Sequence, residues 1–486
     1  MSLTASVSAA PDTIPSVDLP LVVDLDGTLI RSDCLIEAFF AGLGSNPVQT
    51  LRALSSLRHG KAALKAELTR LAGLDASRLP LNTRVLDFVM AEKARGRRIY
   101  LASAADQALV AALARCLGLF DGIFASDGRR NLSGRAKAAA LCSTFGEGRF
   151  DYIGNDAVDL AVWEKARRVL VADAPPALQR RVMARWPDAQ VLSERRLQAR
   201  TYLRAIRVHQ WAKNVLLFVP ALAAHRWGLV DLTTCFLAFL SFSLCASSVY
   251  VTNDLIDLSR DRAHSSKRHR PFASGAIPLL HGVAMAPVLL LAGLLLGLLV
   301  GLPFLLALLV YYAGTVAYSL VLKRKMLLDV ITLAGLYGLR LFAGAVAVDV
   351  KLSAWLGTFA LFLFSCLALV KRSAELIERA AAGLGDPGGR DYRIADLPLL
   401  MGMAAASGFT AVLVVALYAD SPAVRALYMS PNRLYLICVV LMYWIGRILM
   451  LTQRNEMHDD PVIFAATDRT SLACGLACLG IVLASL

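Results

Sequence analysis

The sequence predicts a two-part protein: a soluble α/β domain followed by an all-α membrane domain of nine helices. Three observations carry that prediction. The chain has 486 residues, more than one ordinary domain holds. Apolar residues make up 57% of it and the mean hydropathy is +0.56, an average that a soluble chain does not carry. The apolarity is also uneven. Residues 1 to about 210 alternate short apolar runs with charged helical stretches, whereas the rest is a succession of long apolar runs.

The first stretch, "MSLTASVSAAPDTIPSVDLP", has no basic region followed by an apolar core, so it is not a secretory signal. Residues 1–18 are expected to be a disordered tail. "LPLVVDLDGTLI" then reads as a buried strand ending in Asp24 and Asp26, with Gly27 and Thr28 behind them. Such a strand end can present one carboxylate as nucleophile and one as acid/base near Mg²⁺. Further along, "RRIYLASAAD" is a strand ending at Ser103. "LSGRAKAAAL" offers Lys137, and "FDYIGNDAVDLAVW" is a strand with Asp156 and Asp159 at its end. Acid pair, hydroxyl, lysine and acid pair in that order resemble the haloacid dehalogenase-like phosphatase superfamily over residues 19–190.

The resemblance implies a Rossmann-like α/β fold, with a helical cap over about residues 33–90 that includes "LIEAFFAGL" and "ALKAELTRLAGL". It implies that Asp24 attacks phosphorus, that Asp26 protonates the leaving oxygen, and that Ser103 and Lys137 hold the phosphoryl group. It places Mg²⁺ among Asp24, Asp26 and the last acids. Asn155 stands where the family often has the first of those acids, so the ligand is Asp156 or Asp159. A degenerate domain kept for folding or docking is the plainer alternative.

Residues 191–210 are basic and amphipathic, which suits a linker on the membrane surface or an ordinary charged helix. From 211 onward nine apolar segments approach the ~20 residues that cross hydrocarbon. They are 212–229, 232–252, 278–300, 303–322, 328–348, 353–370, 399–419, 433–452 and 470–486. The first is the weakest, since it holds Lys213, Asn214 and Pro220. Alternate loops carry fifteen Lys and Arg against four in the others. The positive-inside rule puts the richer set, and the N-terminal domain, in the cytoplasm; nine spans would leave the C-terminus outside.

The net charge of +14 fits cytoplasmic loops beside anionic lipid. No basic run is interleaved with aromatics, so nucleic acid is not an expected partner. Nine scattered cysteines without a CxxC pair argue against a zinc site or a disulfide framework and read as small buried hydrophobes.

The segment "VTNDLIDLSRDRAHSSKRHRPFASG" ends the second apolar run. Asp254, Asp257 and Asp261 recur at i, i+3 and i+7, one face of a helix. Three like charges there repel unless a cation sits among them, and hard oxygen ligands suit Mg²⁺ with substrate phosphates. Lys267, Arg268 and Arg270 follow as partners for the same phosphates. A solvated helix end with casual ion pairs is the bland reading. "NDLIDLSRDRAHSSKRHRP" resembles the first aspartate-rich motif of the UbiA superfamily of intramembrane prenyltransferases, and the resemblance extends over about 200–486. It implies nine helices around a cavity open to the cytoplasm and a Mg²⁺–diphosphate site. Asp254, Asp257 and Asp261 would hold the metal, Asn253 would orient them, and Lys267 and Arg270 would clamp the diphosphate.

The chain departs from aromatic prenyltransferases in a later loop, "KRSAELIERAAAGLGDPGGRDYRIADL", where no DxxxD occurs. "RVHQWAKN", "AYSLVLKRKMLLDV", "LRLFAGAVA", "VKRSAEL" and "DDPVIFAATDR" instead resemble the decaprenyl-phosphate phosphoribosyltransferase branch. That branch moves phosphoribose from phosphoribosyl diphosphate to a polyprenyl phosphate and supplies lipid-linked arabinose precursors for cell-wall or surface glycans. Lys323, Lys371 and Arg372 would then contact the 5-phosphate or the lipid phosphate. Tyr318, Asp329 and Arg340 lie at or inside apolar segments, where ionisable groups usually line a cavity. Alternatively, Asp329 and Arg340 neutralise each other. A prenyl diphosphate and phosphoribosyl diphosphate both release diphosphate from a carbon that becomes positive, so one carboxylate–Mg²⁺ site serves either. A phosphate acceptor needs no strong general base.

The expectation is an enzyme of a bacterial inner membrane that makes polyprenyl-phosphoryl phosphoribose and removes its 5-phosphate; its oligomeric state is left open. The rivals are an aromatic prenyltransferase, which the missing DxxxD opposes, and a phosphatase with a passive membrane anchor, which the acidic cluster opposes.

Overall fold

The computed structural model describes residues 19–486 apart from 194, 196, 227, 265, 388–389, 423, 425–427, 458–459 and 486. The expected tail, 1–18, lies outside the described residues. The chain divides into two units: Met1–Ala205 with Val251–Ala284, and Ile206–Tyr250 with Met285–Leu486.

The first unit is built on six parallel strands in the order β3-β2-β1-β4-β5-β6. They are β1 (Leu21–Asp24), β2 (Ile99–Asp106), β3 (Gly122–Ser126), β4 (Asp151–Gly154), β5 (Arg168–Ala172) and β6 (Gln190–Ser193). Every residue of β1 is buried, as a central parallel strand covered on both faces requires. Leu21 and Val23 enter one core and Val22 the other, the period of two that a pleated strand imposes. Strand order reverses at β1, and the crevice at the carboxyl ends of such strands is where α/β folds bind ligands. Asp24 is the last residue of β1.

Between β1 and β2 run α1 (Cys34–Ser45), α2 (Pro47–Ala53), α3 (Lys61–Ala72) and α4 (Thr83–Ala94). Ala38, Ala53, Leu64 and Leu68 give the first three a small core of their own. Val85 and Val89 of α4 belong instead to the core of the sheet. The later helices are α5 (Gln107–Leu117), α6 (Arg135–Phe145), α7 (Leu160–Trp163), α8 (Pro176–Arg185) and α9 (Ala199–Ala205). The stretch expected as a surface linker, 191–210, instead gives its first three residues to β6, the edge strand of the sheet (Gln190–Ser193), and later forms α9.

The chain continues through α10 (Val219–Ala223), α11 (Leu229–Ile256), α12 (Leu258–Ala263), α13 (Leu279–Val300), α14 (Leu302–Leu320) and α15 (Leu328–Ala347). It ends with α16 (Ala354–Ala381), α17 (Leu397–Ala419), α18 (Tyr435–Gln453), α19 (Pro461–Thr467) and α20 (Arg469–Ser485). Seven helices among the described residues are long and apolar enough to cross a membrane, or up to eight if the bent pair α19–α20 is one span. The count of nine is therefore not reproduced. The first expected span is a 3-10 helix, Val208–Phe218, followed by the five residues of α10. Lys213 and Asn214 are buried there, and Pro220 lies in the first turn of the short helix after it. The last expected span is α20, bent 77° from α19. An even count would reverse the parity from which an outside C-terminus was read.

Helices α15 to α18 share a core around Phe364, Leu367, Trp444 and Ile448. By contrast α13 exposes Leu291, Leu295, Leu298 and Leu299, an apolar face of the kind that lipid covers. Gly344 of α15 meets the 3-10 helix backbone to backbone: a Cβ there would lie 2.2 Å from the Leu217 carbonyl oxygen.

Candidate functional site

The sheet brings the expected phosphatase residues together. Lys137 Nζ, from α6, stands 2.6 Å from Asp24 Oδ1 and 2.9 Å from the Tyr152 hydroxyl. That hydroxyl donates to Asp159 Oδ1 at 2.8 Å. Ser103 Oγ lies 3.4 Å from Asp26 Oδ2, and the Cys34 N–H donates to Asp26 Oδ1 at 2.8 Å. Asp26 is thereby held at the N-terminus of α1, where the helix dipole favours a carboxylate. Thr28 Oγ1 donates to Asp24 Oδ2 at 3.3 Å.

The two later acids differ. Asp159 is buried, and its Oδ2 accepts the backbone N–H groups of Asn155 and Asp156 at 3.0 and 3.1 Å. Both its oxygens are engaged in bracing Lys137 and the β4 turn. Asp156 is exposed and caps a 3-10 turn through the Val158 N–H, 3.2 Å away. Asn155 packs against Gly27, whose φ is +74° and where a Cβ would meet the Asn155 amide nitrogen at 2.1 Å. Burial pushes the Asp24 carboxyl up to about 7 against the pull of Lys137, with Asp159 and Asp26 adding to the rise. Burial and Asp26 push Asp33 up to about 6. Burial opposes the charge of Lys137, but Asp24 and Asp159 outweigh it and hold its proton above the usual lysine range. Crowded buried carboxylates with hard oxygen donors fit a divalent cation. Among the described residues, however, no group of three or more His, Cys, Asp or Glu stands ready-made for a metal.

In the aspartate-rich segment the helix breaks at Asp257, between α11 and α12. Asp254 and Asp261 nevertheless converge: Arg270 Nη1 lies 3.2 Å from Asp254 Oδ1 and 2.7 Å from Asp261 Oδ2. Asp257 meets Arg260 at 3.3 Å in a more open position. Burial pushes the Asp261 carboxyl up, and Arg270 offsets this only in part. Two buried carboxylates sharing one guanidinium fit a site for a cation with a phosphate ligand. Lys267 is exposed on a single 3-10 turn, and Asn253 is half-buried in the last turn of α11.

The helical unit holds a third polar cluster. Asp460 Oδ2 is 2.8 Å from Lys213 Nζ and 2.5 Å from Lys371 Nζ, and the Tyr337 hydroxyl donates to Asp460 Oδ1 at 3.3 Å. Arg340 donates to Asn214 Oδ1 and to the Tyr311 hydroxyl, both at 2.9 Å, and stacks over the Tyr337 ring. Asn214 in turn donates to Ser243 at 3.0 Å. Two ammonium groups thus share one carboxylate, and Arg340 stands on the other side of Asn214 and the Tyr337 ring. Sequence reasoning named Lys371 and Arg340 but missed Lys213, Asn214 and Asp460. The signal was present: Lys213 and Asn214 are the polar residues that make the first apolar run weak.

Asp329 and Arg340 do not pair. Asp329 goes to Arg372 at 2.9 Å and accepts from the Tyr392 hydroxyl at 2.5 Å. Arg372 is also paired with Glu375 and is almost fully buried, so it is a helix-to-helix tie in this structure. Tyr318 and Lys323 are half-buried at the end of α14 and just beyond it.

Comparison with known proteins adds four findings. The model described as "UbiA prenyltransferase family" matches residues 214–469. An uncharacterized protein of Sinorhizobium fredii, y4nM, is 37% identical over 462 residues, 94% of this chain and 89% of its own. The decaprenyl-phosphate phosphoribosyltransferase of Mycolicibacterium smegmatis is 35% identical over 179 residues, 36% of this chain and 56% of its own. Solved structures similar to the N-terminal region include a HAD family hydrolase from Salmonella enterica serovar Typhi, 15% identical with a TM-score of 0.27; the match covers 35% of this chain and 67% of that one. With the family match spanning more than half of its length, the chain belongs to the UbiA prenyltransferase family, as an enzyme that carries a parallel-sheet α/β domain ahead of its apolar helices.

Proposed function

We propose that this enzyme transfers 5-phosphoribose from phosphoribosyl diphosphate to a polyprenyl phosphate such as decaprenyl phosphate, and that its N-terminal unit then removes the 5-phosphate. The observation that supports the reading is the excess of cations near Asp460: buried Lys213 and part-exposed Lys371 on the carboxylate, and Arg340 beside them on Asn214. An aromatic acceptor has no use for Lys213, Lys371 and Arg340 together, whereas a phosphate monoester does. The missing DxxxD and the similarity to a named phosphoribosyltransferase support the same choice.

In the transfer, an oxygen of the acceptor phosphate attacks C1 of the ribose as the C1–oxygen bond to diphosphate breaks. The attacking oxygen is already anionic, so no proton has to be removed. Mg²⁺ bound by Asp254 and Asp261, with Asp257 beside them, would neutralise charge on the departing diphosphate. Arg270 and Lys267 contact the same diphosphate, Asn253 orients the carboxylates, and the apolar tail lies in lipid. Lys213 and Lys371 hold the acceptor phosphate once Asp460 gives way.

In the phosphatase step, Asp24 attacks phosphorus and the bond to the ribose O5 breaks. Asp26 gives that oxygen its proton. Lys137 and Ser103 hold the phosphoryl oxygens, with Asp159 fixing Lys137 through Tyr152. Water then attacks phosphorus, Asp26 takes the proton back, and inorganic phosphate leaves. Asp24, Asp26 and Asp156 are the residues that would hold Mg²⁺ there. The Lys/Arg-rich loops support an inner-membrane protein whose N-terminal unit is cytoplasmic, where phosphoribosyl diphosphate is found.

The test is incubation with Mg²⁺, polyprenyl phosphate and radiolabelled phosphoribosyl diphosphate, beside Asp24→Asn. Wild type should yield polyprenyl-phosphoryl ribose, and the variant should stop at the phosphorylated lipid. If folded protein forms no labelled lipid, the donor is wrong and a prenyl diphosphate takes its place.

A further inference from the structure

Glu37 lies in the first turn of α1, in the cap, and its side chain is fully enclosed. Its partner is not in the cap. Arg262, the neighbour of Asp261 on α12, forks onto it: Nη2 to Oε1 at 2.5 Å and Nη1 to Oε2 at 3.0 Å. Arg262 Nε donates to the Ala273 carbonyl at 2.8 Å, and the Ser32 hydroxyl donates to Glu37 as well. A buried bidentate guanidinium–carboxylate pair fixes both distance and orientation, and removing one partner strands the other charge.

Both ends of this tie carry chemistry. α1 opens at Cys34, whose N–H holds Asp26 Oδ1, so the seat of α1 sets where the Asp26 carboxylate points. α12 carries Asp261, which Arg270 joins to Asp254. Asp26, α1, Glu37, Arg262, α12 and Asp261 are thus one bonded run inside one unit. Two close approaches leave it little slack. A Cβ on Gly275, φ +69°, would lie 2.7 Å from the Arg31 Cβ, and one on Gly44 would lie 3.2 Å from the Ile256 carbonyl oxygen.

We propose that Glu37 and Arg262 are positioning residues shared by the two chemistries. Glu37, in the cap, sets the geometry of the aspartate-rich carboxylates, and Arg262, beside those carboxylates, sets Asp26. Neither touches a substrate. The inference rests on the aspartate-rich segment being a divalent-cation site.

The test is a pair of crossed measurements on the full-length protein in detergent. Mn²⁺ affinity is measured in an Asp24→Asn background, with Asp254→Asn assigning the ion to the segment. Glu37→Gln should weaken it roughly tenfold, the usual cost of losing an outer partner of a metal ligand. In the reverse direction, Arg262→Lys keeps the charge but loses the fork. It should lower kcat for p-nitrophenyl phosphate about tenfold with KM nearly unchanged. If either variant fails to fold, Ser32→Ala removes only the hydroxyl donor to Glu37 and should move the same readout about threefold. Arg167→Ala opens an ion pair elsewhere in the unit, 2.8 Å to Asp151, and should move the melting temperature but neither readout. If either crossed effect is missing in folded protein, the shared role is wrong, whatever lipid product forms. If both effects appear but no labelled lipid forms from phosphoribosyl diphosphate, the pair stands and the donor reading falls.

Discussion

Two of the ionic clusters among the described residues have opposite sign. At the carboxyl ends of the strands, Asp24, Asp26 and Asp159 crowd around Lys137. Among the helices, Lys213, Lys371 and Arg340 crowd around Asp460 and its neighbours. Burying unbalanced charge is costly, so each imbalance indicates the partner the site is built to receive. On the proposed function the first would take a cation with a phosphoryl group, and the second an anion. Under the proposed function one chain would handle phosphate in two ways, by breaking a phosphate ester with carboxylates and by holding a phosphate with cations.

The sharpest way to break that comparison is Asp24→Asn. It should cut p-nitrophenyl phosphate hydrolysis more than about a thousandfold, because the nucleophile itself is gone, and leave lipid labelling intact. Loss of labelling too would merge the two sites into one activity. Next comes Lys213→Met. It should lower lipid labelling roughly 100-fold, the scale for losing one preorganised charge contact, without touching phosphatase activity. Equal labelling by this variant would demote the cationic cluster to a structural tie.

Gly344→Ala tests packing in the helical unit alone. A methyl group has no room against the Leu217 backbone, and overpacking should cost about 2 kcal/mol, read as a lower melting temperature in detergent. Tyr152→Phe sharpens the strand-end site. Removing the hydroxyl between Lys137 and Asp159 should lower phosphatase kcat about tenfold and stability by about 1 kcal/mol.

The smallest expected effect concerns pH. Asp24 must be ionised to attack, and burial pushes its carboxyl to about 7. At low Mg²⁺ the phosphatase rate should fall as pH drops through about 7. At high Mg²⁺ the same limb should move to lower pH, because a nearby cation favours the charged form. A limb near the ordinary carboxylate value at low Mg²⁺ would contradict the burial.

Much of this was legible in the sequence because the chemistry-bearing residues sit in short local patterns. Asp24 and Asp26 follow an apolar strand, and Asp254 and Asp261 are seven apart beside a cationic run. Distance in the chain hid the rest. Asp460 meets Lys213 and Lys371 only after folding, and Glu37 meets Arg262 across 225 positions. The count of nine spans is not confirmed among the described residues, because a window of apolar residues was read as a helix. Val208–Phe218 is apolar enough, but its buried Lys213 and Asn214 and the following Pro220 give a 3-10 turn sequence instead. Asp329 and Arg340, eleven apart on one helix, were near enough to suggest a pair. Three turns of α-helix put them too far apart along the axis, and each found a partner on another element.

Asp460 has one more consequence. It is a competitor that never diffuses away. Any anion entering between Lys213 and Lys371 contends with a carboxylate whose local concentration is set by its tether, not by the cell. A small free anion held by those two ammonium groups alone gains little by the exchange. A ligand that is anchored elsewhere too, by a lipid tail or by a second phosphate, brings an effective concentration of its own and wins the place. If the cluster holds the acceptor phosphate as proposed, the tethered carboxylate would by itself disfavour simple free phosphates.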